Sequence, residues 1–379
     1  MLRALGGVVK MGPHDAAFYN TSILRLGARR VAKVVAARTR VKARERLALA
    51  RRARSAMHVL ICTTPDIKGC IAVNFALKQL TARGHRLSVF LSNDEPRSEG
   101  AQRCAEMVGP HETSVWTKSI FPFLERTPAA NRGPGAYRTW EELRASDDVG
   151  VITAVKNKSI NFHANLAEVR ALAPDLIFSA RFQHILKEDL IAVAPLGVLN
   201  MHPGALPKYR GLYVDLRAML QGDVRQTMTL HRISDTGIDT GEVVDTAEVE
   251  TTPGDSLLGI RLAMGREGVR MMLEEVDRLA AGTCGRVFEH RPTVEEGYYS
   301  WPTAADYDDF FASGLRLYHD SDMEAIKLLF APAGGTGERD DDGAARRMRA
   351  VTGVTGVTAV PAVPVVTGAT GVTDVTGVA

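Results

Sequence analysis

The sequence predicts an α/β fold, a mostly parallel twisted sheet with flanking helices, followed by a small C-terminal subdomain. Three observations predict it. Met57–Thr63 (M-H-V-L-I-C-T) and His85–Leu91 (H-R-L-S-V-F-L) are short apolar β-rich runs with a helix-patterned stretch between them. A strand–helix–strand unit of this length makes a parallel pair with a right-handed crossover. Asp175–Ser179 and Leu196–Met201 repeat the buried-strand pattern further along. Finally, Gln226–Ile233 and Glu242–Val249 alternate in a strand-like way around a polar loop, which predicts an antiparallel hairpin.

The 379 residues are enough for two or three domains. Hydrophobic residues at 45% and charged residues at 24% are ordinary for a globular chain. No apolar run has the length of a membrane span, so no membrane partner is expected, and the scattered cysteines point to a reducing cytoplasm. Cys62, Cys70, Cys104 and Cys284 lie scattered without a C-x-x-C pair. That argues against a disulfide framework and against a metal site. The net charge of +3 is unevenly spread, because within residues 1–56 Lys and Arg outnumber Asp and Glu by 14 to 2. Subtracting that +12 leaves −9 for the remainder, so the basic character belongs to the N-terminal segment and not to the body, and no nucleic-acid partner is expected.

Taken in order, residues 1–56 form a basic helical N-terminal extension. Three readings compete for it: a surface helix touching nucleic acid or anionic lipid, a targeting presequence, and an extension with no catalytic role. Met57 stands directly before the first convincing strand, which favours the last. After that strand, Thr64–Gly69 is a turn and Cys70–Arg83 carries helical spacing, ended by Gly84. The turn lacks G-x-G-x-x-G, so a dinucleotide site has no support. Ser92–Asp148, with five prolines, reads as loop with short elements, including a helix at Thr139–Ser146. Val149–Val155 is a third strand. Ser159–Leu172 is a helix, and Arg181–Leu186 leaves the next strand as a loop. Lys187–Ala194 and Tyr213–Gln221 are short helices. Asp255–Ala281 is a long amphipathic helix capped by Asp255 or Ser256. Arg286–His290 closes the domain as a short strand. A small unit spans residues 288–332, and residues 333–379 form a low-complexity tail with a Val-Thr-Gly repeat, expected to be disordered or weakly structured.

Chemistry concentrates at the end of the strand Leu196–Met201. Asn200 and His202 are two apart, which on a strand aims both side chains at one face. Pro203, Gly204 and Pro207 then force an irregular turn. The carboxyl end of a strand in such a sheet is where ligands bind. Asn can donate to an oxygen and His can move a proton near neutral pH. Asp239, in the acidic hairpin tip D-T-G-I-D-T-G, is the third side chain that stands out. Singly, each of the three reads more readily as a turn or surface residue.

Together they form the blocks N-x-H-P-x-x-L-P-x-x-R-G (Asn200, His202, Pro203, Leu206, Pro207, Arg210, Gly211) and H-x-x-x-D-x-G-x-D-x-G (His231, Asp235, Gly237, Asp239, Gly241). In order and at this separation they resemble the 10-formyltetrahydrofolate-dependent formyltransferases over roughly residues 57–287. The resemblance implies a Rossmann-like catalytic domain at 57–287 and direct transfer of a formyl group from 10-formyltetrahydrofolate, with no metal. Asn200 and His202 would be donors to the oxyanion of a tetrahedral intermediate. His202, or a water held by Asp239, would move the proton, and Asp239 would fix the charge of His202. The resemblance places the folate ring against Phe182, Gln183, His184, Ile185 and Leu186 and against the hairpin tip with Ile233, Asp235 and Gly237. Ile185 and Leu186 would supply an apolar wall.

Many relatives read H-P-S-L-L-P where this chain has His202-Pro203-Gly204-Ala205-Leu206-Pro207, a difference expected to alter the acceptor side of the cleft and not the catalytic three. The segment Y-Y-S-W-P-T at 298–303 resembles one in sugar and natural-product N-formyltransferases. The expected activity is therefore N-formylation of a small-molecule amine, an amino sugar or a secondary-metabolism intermediate. Methionyl-tRNA formyltransferase and formyltetrahydrofolate hydrolase are the alternatives, with a non-catalytic binding module behind them. Tyr298–Phe311 offers an apolar surface of the kind a homodimer uses.

Overall fold

The computed structural model describes residues 56–330, apart from 94, 97, 115–119, 121, 123–125, 127–135, 183 and 284–295, together with the strand at 357–359. The predicted N-terminal extension, the strand at Arg286–His290 and most of the tail lie outside the described residues.

The strands are β1 (His58–Thr63), β2 (Arg86–Leu91), β3 (Val149–Thr153), β4 (Leu176–Ala180), β5 (Val198–His202), β6 (Arg210–Gly211), β7 (Arg225–Ile233), β8 (Val243–Glu250), β9 (Tyr298–Tyr299) and β10 (Val357–Ala359). The helices are α1 (Ile67–Ala82), α2 (Glu99–Ser114), α3 (Trp140–Arg144), α4 (His163–Leu172), α5 (Glu188–Ile191), α6 (Val214–Leu220), α7 (Leu257–Ala280), α8 (Ala304–Ala312) and α9 (Asp320–Phe330).

Eight strands form one sheet in the order β10-β8-β7-β5-β4-β1-β2-β3. β3, β2, β1, β4 and β5 are mutually parallel, as the crossover argument predicts. From β5 outward the pairing turns antiparallel through β7, β8 and β10. Chain order reverses direction across the sheet between β1 and β4, so the cleft at their carboxyl ends is the topological switch point. The strands alternate between two cores. On β1, Val59 and Ile61 join the apolar layer under α1 and α7, whereas Leu60 and Cys62 join the layer under α4 and α5. Burial on both faces is why these strands read as unbroken apolar runs.

Two expectations are corrected. Glu99–Ser114, read as loop, is a helix of 16 residues. Gly109-Pro110 is a local stop signal, yet Cys104, Met107 and Val108 face the core at helical spacing, and that packing outweighs the local preference. Within the span read as a disordered tail, Val357–Ala359 pairs antiparallel with Val249–Ala247 at the sheet edge.

The helix α7 begins at Ser256, whose Oγ accepts from the Gly259 amide at 2.9 Å and donates to Asp322 of α9 at 2.5 Å. This ties the small C-terminal unit, α8 and α9, to the sheet's covering layer. Among the described residues no helix is long and apolar enough to cross a membrane.

Candidate active site

The end of β5 places Asn200 and His202 on one face, and the β5–β7 register sets His231 directly opposite Asn200. Asp239 approaches from the β7–β8 loop with φ of 52°, a left-handed conformation that Asp tolerates better than most residues. The three sequence-predicted residues are thereby brought into contact, and His231 joins them.

The hydrogen-bond partners of the two imidazoles fix their protons. His202 is buried, and its Nε2 lies 2.6 Å from the Tyr209 carbonyl oxygen, so Nε2 carries the hydrogen and donates. That leaves Nδ1, 3.5 Å from Asp239 Oδ2, as the nitrogen with a lone pair. On His231, Nδ1 faces the Arg232 carbonyl at 3.2 Å and donates to it. Its Nε2 then accepts from Asn200 Nδ2 at 3.1 Å. The amide of Asn200 is oriented by this bond, and its second hydrogen reaches toward Asp239 Oδ1 at a long 3.4 Å. Asp239 Oδ2 also accepts from the Gly211 amide at 2.9 Å.

These contacts set the charges. Burial pushes the pKa of His202 down, and a proton on the neighbouring His231 would push it further; the Asp239 carboxylate and the bond to Tyr209 work against this without reversing it. Burial alone would raise the Asp239 carboxyl, but His231, whose Nε2 lies 3.4 Å from Oδ1 and donates there once the ring is protonated, the charge His202 carries when protonated, and the Gly211 amide hold it below the usual range. At neutral pH the pair is a neutral imidazole beside a carboxylate. A proton arriving at Nδ1 is stabilised by the charge it meets.

The three residues line one cleft of about 340 Å³ that also takes in Phe182, His184, Ile185, Leu186, Ile233, Asp235 and Gly237. Of the predicted folate-contacting set only Gln183 lies outside the described residues. Ile185, Ile238 and Tyr298 present apolar surface to solvent there, while Leu186 is nearly buried behind them. Asp235 Oδ1 holds the Gly237 amide at 2.7 Å, which shapes the hairpin tip.

Sequence reasoning passed over several residues at this edge. His231 was visible only as a motif letter; its role depends on the cross-strand register. Asp66 caps α1 by accepting from the Gly69 amide at 2.7 Å and pairs with Arg181 at 2.8 Å. Asp215 and Arg261 form a buried bidentate pair at 2.5 and 3.0 Å. Arg181, Met201, Pro203, Asp215 and Arg261 are shared between the cleft and an adjoining apolar cavity of about 90 Å³ under α1 and α7.

A family model described as formyl transferase matches residues 129–276. The methionyl-tRNA formyltransferase of Symbiobacterium thermophilum is 33% identical over 122 residues, 32% of this chain and 37% of that protein. That of Thermus thermophilus is 29% identical over 157 residues, 41% of this chain and 49% of that protein. The matched stretch therefore spans less than half the length of these curated relatives. Among solved structures, a 4-N formyltransferase from Francisella tularensis is 15% identical, covering 67% of this chain and 79% of that one with a TM-score of 0.41. Glycinamide ribonucleotide transformylase 1 from Symbiobacterium toebii is 19% identical, covering 60% and 89% with a TM-score of 0.40.

Proposed function

We propose, from its membership of the formyl transferase family through residues 129–276, that this chain is an N-formyltransferase moving a formyl group from 10-formyltetrahydrofolate to the primary amine of a small molecule. The observation that carries the reading is the contact of Asn200, His202 and Asp239, drawn from a strand end and a hairpin tip, at one cleft.

The cleft suits a flat donor: Ile185, Ile233 and Ile238 give apolar walls, and residues 182, 184–186 and 233–239 line it beside them. The bound donor supplies the formyl carbon. Attack by the amine puts negative charge on the formyl oxygen. Asn200 meets that charge with the hydrogen it holds only loosely toward Asp239, while His231 keeps the amide from turning. The amine must also lose a proton. His202 takes it at Nδ1, because Nε2–H is committed to Tyr209, and the Asp239 carboxylate stabilises the imidazolium. The same proton is then available to the departing nitrogen. The rest of the rate comes from holding both reactants against these groups.

The acceptor is an amino sugar or a related small amine in this reading. The described chain after residue 295 is two short strands, β9 and β10, and the helices α8 and α9, and Tyr298 of β9 lines the cleft. Methionyl-tRNA is the second acceptor to test, since curated relatives carry that name. Purified protein is given 10-formyltetrahydrofolate with amino sugars, small amines and methionyl-tRNA in separate reactions. Tetrahydrofolate release matched by a one-formyl mass gain on one small amine supports the proposal. Gain on the tRNA alone, or release with no acceptor, replaces it with the tRNA or hydrolase reading. His202→Ala and Asp239→Asn are each expected to lower turnover by about a hundredfold or more. Turnover unchanged in either would remove the assigned role.

A further inference from the structure

Two of the three reacting side chains are oriented not by their own strands but by the backbone of residues 207–212. The Tyr209 carbonyl holds His202 Nε2–H at 2.6 Å, and the Gly211 amide holds Asp239 at 2.9 Å. This stretch leaves the main sheet, so something else must fix it. That support is a strap, residues 296–301, which lies beyond the family match ending at residue 276.

The strap strand β9 pairs in parallel with β6. Arg210 donates to the Gly297 carbonyl at 3.1 Å, Leu212 to the Tyr299 carbonyl at 2.9 Å, and Gly297 to the Pro207 carbonyl at 3.2 Å. A two-residue pair of this kind is marginal alone. Side chains reinforce it. The Tyr299 ring stacks on Tyr209 with centroids 5.9 Å apart and planes at 28°. Its hydroxyl accepts from Gln221 Nε2 at 3.1 Å, and the Arg217 guanidinium sits 5.8 Å from its ring. Tyr209 is anchored at its far end by donating to Asp223 Oδ2 at 2.6 Å. Trp301 continues the strap onto Tyr213, at 5.7 Å between rings.

We infer that Tyr299 is a positioning residue for formyl transfer: by stacking on Tyr209 and pairing β9 with β6, it fixes the carbonyl that orients His202 and the amide that orients Asp239. The inference rests on the reading of those two residues as the proton-moving pair. Tyr299 is absent from the lining of the cleft, so it acts on the rate through geometry and not on donor affinity. Displacement of about 1 Å in such a pair is enough to cost on the order of a hundredfold.

The test compares the full chain with Tyr299→Ala, Tyr299→Phe and Phe311→Ala, the last an exposed residue of the same C-terminal unit off the strap. Tyr299→Ala is expected to lower kcat at least tenfold with KM for the folate donor within twofold. Tyr299→Phe, which keeps the stack, is expected to recover to within threefold of the parent, and Phe311→Ala to match it. A folded Tyr299→Ala protein with parental kcat, or an equal loss in Phe311→Ala, overturns the inference. Should Tyr299→Ala fail to fold, Gly297→Ala serves: a Cβ there runs into the Lys208 carbonyl oxygen and wedges the strap off the loop while deleting no side chain. The same tenfold loss is expected, and parental kcat again overturns it. If the parent protein transfers no formyl group to any acceptor, the reading of the site fails separately, and nitrogen NMR of His202 decides on the strap. Loss of the hydrogen-bonded Nε2–H signal in the strap variant supports the inference; its persistence refutes it.

Discussion

At the scale of single residues, Gly204 bears on the site more directly than its place in the motif suggests. The replacement of a serine found in many relatives was expected to touch only the acceptor side. Here an added Cβ would lie 2.7 Å from the Tyr209 carbonyl oxygen and 2.9 Å from His202 Nε2. It would press on both ends of the bond that assigns the His202 proton, and the Gly204 carbonyl is itself held by Thr229 Oγ1 at 2.7 Å. Gly204→Ser is therefore expected to destabilise the fold by about 1–3 kcal/mol, the usual cost of overpacking, and to lower kcat more than donor KM. Urea melts and steady-state kinetics check it; a variant with parental stability and kcat would show that the loop gives way freely. Asn200 and His202 were legible because an i, i+2 pair at a strand end needs only the strand's period to be placed. His231 was not, since its meaning lies in the register that sets it across from Asn200.

At the scale of elements, strands buried on both faces were readable and contacts between distant segments were not. β1, β2, β4 and β5 declared themselves as apolar runs, and the hairpin β7–β8 by alternation around its polar tip. The pairing of β6 with β9 has two residues on each side and no periodicity to detect. The start of α1 shows how one side chain joins elements. Asp66 caps the helix through Oδ1 and pairs with Arg181 through Oδ2. Asp66→Asn keeps an acceptor for the cap but loses the charge; Asp66→Ala loses both. Both variants lose the carboxylate that faces Arg181 and the buried Lys68, so the difference between them isolates the cap, and Ala is expected to cost about 1 kcal/mol more than Asn. Equal losses in chemical denaturation would contradict the cap's contribution. The pair of Asp215 on α6 with Arg261 on α7 is deeper, both side chains being under 10% exposed. Asp215→Ala strands a buried guanidinium and is expected to cost about 3–5 kcal/mol in the same assay.

For the whole molecule, buried histidines link folding to pH. Burial, with the nearby charge of Arg86, lowers His58; burial lowers His85; and burial lowers His202 against the pull of Asp239. Each stays neutral when folded at a pH where the unfolded chain, near pKa 6.5, already takes a proton. The unfolded state thus binds more protons, and stability falls as pH drops below about 6.5. Each group adds at most about 1.4 kcal/mol per pH unit, so the three together give a slope of up to about 4 kcal/mol per unit. Carboxylates add a second, lower step. Asp215 and Asp239 sit below the ordinary value, and Asp306 is pulled to about 2 by Arg217 and the Thr303 cap despite its burial. Their contribution is full above about pH 4 and is lost as pH falls toward their folded values. Asp322, raised by burial at the foot of α7, acts in the opposite sense. Urea midpoints measured from pH 8 to pH 3 are expected to show both steps; a flat line from pH 7.5 to pH 5 would contradict the first. Catalysis answers to different constants. The base is folded His202, whose lowered pKa keeps Nδ1 unprotonated after the unfolded state has begun to titrate. At pH 6, therefore, the urea midpoint is expected to have fallen while kcat of the folded protein has not. A kcat that declines in step with the midpoint would mean that His202 titrates as an ordinary exposed imidazole, and with that its commitment to Tyr209 and Asp239 would fail.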